Sequence, residues 1–246
     1  MMLRYSGIVC GLTVVFLFTA CTPHPGPVAG EIRLQLGLQY LAAGEYTAAE
    51  RNLRRAVKAS PDDYRPLLGL ARLYQTQGHD AMAGVCYTRA EKLAPENGYV
   101  LNNYGAFLCA LRQYDKAQSR FLLATLATTG DGRTQTMLSA GYCFLDEGKR
   151  GQAAEKLTAV ISSEPAAADK LLAEAGRRIE RQKFADAGFL LEIYHQFRSA
   201  SAESLWLKIL YAVQQNDASD VKRYGEQLAR IFPLSIQYQR YLANEY

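Results

Sequence analysis

Three histidines and five cysteines are the side chains best suited to chemistry in this 246-residue chain. A metal site needs several such ligands converging, most simply four residues apart on one helix face or in close cysteine pairs. His24, His79 and His195 are widely scattered, and none lies four residues from another histidine or a cysteine. A cysteine nucleophile requires a histidine base held beside it, and nothing aligns Cys109 with any of the three. Gly130-Asp131-Gly132 reads as a turn, and no Gly-x-Gly-x-x-Gly or phosphate loop is present. The expectation is a protein with no metal, no cofactor and no catalytic residues. For the cysteines that leaves acylation and disulfide formation.

The elements that place these residues follow from spacing. Pro61 and Pro95 are 34 residues apart, Pro165 follows after 70, and Pro233 after another 68. A 34-residue period marks stacked helix–turn–helix units. With each proline at position 32, six units begin at Gly30, Tyr64, Gly98, Thr134, Ala168 and Ala202. The two extra residues fall within the turn-rich stretch 128–132. Position 8 then holds Gly37, Ala71, Gly105, Gly141, Ala175 and Ile209, and position 20 holds Ala49, Ala83, Ala117, Ala153, Ala187 and Val221. Small residues at both positions let two helices of a unit approach closely, where larger ones would overpack.

These positions, with turn glycines Gly44, Gly78 and Gly148 at position 15, resemble the tetratricopeptide repeat. The implied fold is an all-α, right-handed superhelix of about six repeats: 30–63, 64–97, 98–131, 134–167, 168–201 and 202–235, with 236–246 a tail or cap. Unit six is the loosest match, and an unrelated helical hairpin is the alternative there. Pro66, at position 3 of its unit, sits in a first helical turn where a missing N–H does no harm.

Residues 1–20 read as a signal peptide. Arg4 is the positive n-region, and the apolar run from Ile8 to Ala20 is short for a permanent membrane span. The sequence Phe18-Thr19-Ala20-Cys21 resembles a bacterial lipobox, which makes Cys21 the lipidation site and the first mature residue. An ordinary secretory signal is the other reading. Residues 21–29 then form a proline-rich tether, expected to be non-helical. Thr22 after the cysteine implies, by the lipoprotein sorting rule, the periplasmic face of the outer membrane. Removing residues 1–20 lowers the net charge of +4 by one, too weak a bias to suggest nucleic acid. In an oxidising compartment Cys86, Cys109 and Cys143 can pair. On the lattice Cys109 and Cys143 lie late in the first helices of adjacent units, so that pair is favoured; three buried free thiols are the alternative.

Tetratricopeptide domains line their groove with positions 2, 5, 9, 12 and 13 of the first helix. In unit one this points to Leu34, Leu38, Leu41 and Ala42, a hydrophobic slot for an extended or helical peptide. Unit two adds Arg65, Arg72 and Gln75, whose charges would orient a peptide's polar edge. Asn102 and Asn103, at positions 5 and 6 of unit three, have amides able to clasp a backbone; local capping would account for them equally well.

Cys21, the first unit (Leu36–Asp63), LNNYGAFLC (Leu101–Cys109), AGYCFL (Ala140–Leu145) and AESLWL (Ala202–Leu207) together resemble the PilF/PilW family of type IV pilus biogenesis lipoproteins. The resemblance implies a pilotin: a monomeric outer-membrane lipoprotein that binds the pilus secretin and promotes its localisation and multimerisation. Partner contacts are then expected at Leu34, Leu38 and Leu41, with Arg72 and Asn102 beside them. A periplasmic scaffold for peptidoglycan enzymes or β-barrel assembly would keep the same fold and anchor.

Overall fold

In a computed structural model the described residues are 27–246; Cys21 and the signal segment lie outside them. These residues form thirteen helices and no strand. Six hairpins follow one another: α1 (Pro27–Ala42) with α2 (Tyr46–Ala59), α3 (Arg65–Thr76) with α4 (Asp80–Leu93), α5 (Gly98–Ala110) with α6 (Tyr114–Ala127), α7 (Gly130–Asp146) with α8 (Arg150–Ser163), α9 (Ala167–Glu180) with α10 (Phe184–Phe197), and α11 (Ala202–Gln214) with α12 (Ala218–Ile231). A short α13 (Ile236–Leu242) closes the array.

The small residues do the work their spacing predicts. Ala49, Ala83, Ala117, Ala153 and Ala187 are all fully buried. A Cβ on Gly37 would come within 2.7 Å of Leu53, on Gly105 within 2.8 Å of Phe121, and on Gly141 within 2.6 Å of Leu157. Each glycine thus accepts one large side chain from the second helix of its own hairpin, a contact any substitution would break. In unit six Ile209 is buried in place of the small residue.

All six hairpins turn alike. The N–H of residue 45, 79, 113, 149, 183 or 217 donates to the carbonyl five residues earlier, closing the first helix with a Schellman-type bond. The residue just before takes a left-handed backbone: Gly44 (φ 78°), Gly78 (72°) and Gly148 (84°), but also Arg112 (58°), Gln182 (60°) and Asn216 (55°). The turn therefore persists in units without the glycine.

Two expectations need correction. Helix α1 starts at Pro27, so residues 27–29 are helical rather than tether. Proline is well tolerated at a helix start because its absent N–H would be unpaired there anyway. The stretch 128–132 is not one long turn either. Only Thr128 and Thr129 separate α6 from α7, and α7 absorbs the extra residues by starting early, reaching 17 residues.

The core is divided. One cluster fills units four to six and extends under α13, where Tyr241 covers Gly225. A second fills units one and two and includes Phe107. Between them is a small group of Leu108, Cys109, Ala117, Phe121, Ala140 and Cys143. Within it Cys109 and Cys143 form a disulfide, Cα–Cα 5.9 Å, joining α5 to α7. Cys86 is buried and free. Beyond this waist Arg178, 3% exposed, is held by Glu174 at 2.7 Å, Asp146 at 2.8 Å and Asp186 at 3.1 Å. Paired on every side, this buried cation ties α7, α9 and α10 together.

Candidate functional site

The first helices α1, α3 and α5 enclose an open concavity of about 490 Å³. Helical periodicity puts Leu34 and Leu38 of α1 on one side, Leu68, Gly69 and Arg72 of α3 at the base, and Tyr99, Asn103 and Phe107 of α5 opposite. Gly69 keeps that base low. A Cβ there would lie 2.8 Å from Leu53 Cδ2 and 3.3 Å from Leu38 Cδ2.

The sequence-predicted residues divide. Leu38 lines the concavity with 38% of its surface open, a large apolar side chain left in water. Leu34 is only 2% exposed and belongs to the core of the first two hairpins, so it forms floor rather than contact surface. Leu41 does not line the site; the same core cluster takes up its side chain. Arg72 lines the site, is exposed and has no ion pair among the described residues. Arg65 is committed instead, to Asp63 at 2.8 Å and Glu31 at 2.9 Å.

Asn102 is outside the concavity, and its neighbour Asn103 is in it. One residue along a helix is a rotation of about 100°, enough to move Asn102 Oδ1 into a buried setting without a hydrogen-bond partner. Asn103 Nδ2 donates to the Tyr99 carbonyl at 2.7 Å, which leaves its Oδ1 to accept from a ligand.

An aromatic wall backs the site. Tyr87 stacks on Tyr104 with centroids 5.5 Å apart and tilts against Phe107 at 5.0 Å. Its hydroxyl donates to Gln75 Oε1 at 2.6 Å, and burial pushes its phenol up to about 12. The ring is therefore neutral and fixed. Tyr99, 65% exposed, was missed by sequence reasoning although the signal was available: it occupies position 2 of its unit, as Arg65 does.

The arrangement is an amphipathic groove with an open leucine, an open tyrosine, one free cation and one amide acceptor. Those groups suit a peptide laid across three helices. Among the described residues no cluster of His, Cys, Asp or Glu could hold a metal ion, and no helix is long and apolar enough to cross a membrane.

Known proteins agree with this architecture. Residues 30–73 match the tetratricopeptide repeat family. The type IV pilus assembly protein PilF of Pseudomonas aeruginosa is 30% identical over 220 residues, covering 88% of this chain and 86% of that protein. A solved structure of Pseudomonas aeruginosa PilF superposes with a TM-score of 0.59 at 29% identity, covering 88% of this chain and 98% of its own. The crystal structure of PilW, described as a widely conserved type IV pilus biogenesis factor, gives 0.61 at 24% identity, over 87% of this chain and 98% of its own.

Proposed function

The chain belongs to the PilF family of type IV pilus assembly proteins, and we propose that it acts as a pilotin, gripping the pilus secretin in the concavity of its first three hairpins. The lipid on Cys21 would hold it at the periplasmic face of the outer membrane. Bound secretin protomers would travel with it and assemble into their ring there. The protein's part is adhesive: it supplies an address and a groove.

The observation that carries this reading is the pairing of Leu38, open to solvent, with the unpaired Arg72 in one groove. An apolar anchor beside a lone cation selects a segment with an apolar side chain followed by an acidic or carboxylate group. Losing the leucine contact should weaken binding by about 1–3 kcal/mol, roughly five- to 150-fold.

The test is capture of the secretin by the full chain carrying Leu38→Glu or Arg72→Glu. Both positions are exposed, so the fold is expected to survive, and capture should fall by tenfold or more. In cells the same variants should leave secretin multimers depleted from the outer membrane. Undiminished capture by both would remove the groove from the mechanism.

A further inference from the structure

A second surface lies on the other side of α3. Leu67, Leu70 and Tyr74 form the floor of an apolar trough of about 530 Å³, walled by Val57 of α2 and by Met82, Val85 and Cys86 of α4. These floor residues are about 200° around α3 from Gly69 and Arg72, so the trough and the concavity face different ways. Val85 is 69% exposed and Met82 41%.

The neighbouring repeat shows that the trough is a departure from the stack's own pattern. One period on, Val57 corresponds to Glu91, Leu70 to Tyr104 and Cys86 to Arg120. There Arg120 pairs with Glu91 at 2.9 Å and lies over the Tyr104 ring at 5.6 Å, filling the gap between α4 and α6. With valine and cysteine in those places, the gap between α2 and α4 stays open.

Its edges are cationic. Arg54, Lys58 and Arg89 line the trough, and no acidic residue does. Arg54 pairs with Glu50 at 2.8 Å, while Lys58 and Arg89 form no ion pair or side-chain hydrogen bond among the described residues. Met82, Val85 and Arg89 follow the three-to-four-residue rhythm of one helix wall, over about 10 Å. That is the length presented by positions i, i+3 and i+7 of a second helix.

We propose that this trough docks an acidic amphipathic helix of a protein partner. Leucine-sized side chains would seat over Leu67, Leu70 and Val57, with carboxylates flanking towards Lys58 and Arg89. This surface is separate from the concavity, so a partner can occupy both at once.

The probe is a fluorescein-labelled helical peptide of about five turns, with leucines every three or four residues and glutamates on both flanks, titrated by anisotropy against the full chain. Val57→Glu/Cys86→Arg rebuilds the plug of the next repeat and should weaken binding at least tenfold. Lys58→Glu/Arg89→Glu should do likewise, and both losses should persist when the concavity is disabled by Leu38→Glu. If the plugged variant fails to fold by circular dichroism, Val85→Glu reads the same loss from an exposed site. Equal binding of a control peptide with the flanking glutamates replaced by lysines would overturn the proposal, as would unchanged binding by Lys58→Glu/Arg89→Glu. So would wild-type chain that ignores the peptide but sediments with phosphatidylglycerol vesicles through Lys58 and Arg89; the trough would then be a membrane contact.

Discussion

His195 shows how one buried titratable side chain sets the conditions under which the fold persists. Its Nε2 is buried without a hydrogen-bond partner. Burial, and then the nearby charge of Lys208, hold its pKa below the ordinary histidine value. A lowered folded pKa favours the neutral ring, so its contribution is fully present above about pH 6.5 and is lost as pH falls from there towards the folded value. Stability should therefore decline as pH falls below about 6.5, and His195→Gln should flatten that decline in denaturant titrations at stepped pH. A slope unchanged by the substitution would assign the pH dependence to carboxylates instead. At this scale the sequence was least legible. The lattice placed Leu38 and Arg72 in the groove, but a one-residue rotation separated Asn102 from Asn103. The charges around Arg178 come from three helices with no common spacing.

At the scale of the element, the hairpins were read almost completely from the sequence. In the first five units position 8 is glycine or alanine and position 20 alanine because the crossing of their two helices admits nothing larger, whereas unit six takes Ile209 and Val221 there. Hence Gly105 meets Phe121 and Gly141 meets Leu157 at the same depth. What spacing did not reveal was that the turn survives without glycine. Arg112, Gln182 and Asn216 adopt a left-handed backbone that costs an L-residue free energy, least for asparagine. Arg112→Gly and Gln182→Gly should each stabilise the fold by about 0.5–1 kcal/mol, with Asn216→Gly nearer neutral. Thermal melts of the three variants will rank them. A lower melting temperature for Gln182→Gly would mean that its side chain contributes more than the backbone loses. The starts of α1 and α7 were misjudged for the opposite reason: proline- and glycine-rich runs read as loop, yet both can open a helix.

On the scale of the whole molecule, two large cores meet at a narrow waist, and the disulfide crosses it. Repeat arrays transmit stability between neighbours, so a weak interface divides the array into parts that unfold separately. Cys109→Ala/Cys143→Ala should cost about 3–4 kcal/mol and split a single denaturant transition into two. Urea unfolding followed by tryptophan fluorescence, which reports on Trp206 in the core of units four to six, and by circular dichroism will detect the division. Coincident curves in the variant would show that packing alone couples the halves. The disulfide has a mechanical consequence as well. Its two cysteines are 34 residues apart in sequence, so a molecule stretched by its ends could never release roughly 110–120 Å of its contour. Under load in an oxidising compartment, the chain would extend on either side of that loop and spare α6 and most of α7, while Asn103 and the aromatic wall, which lie before Cys109, would be pulled out.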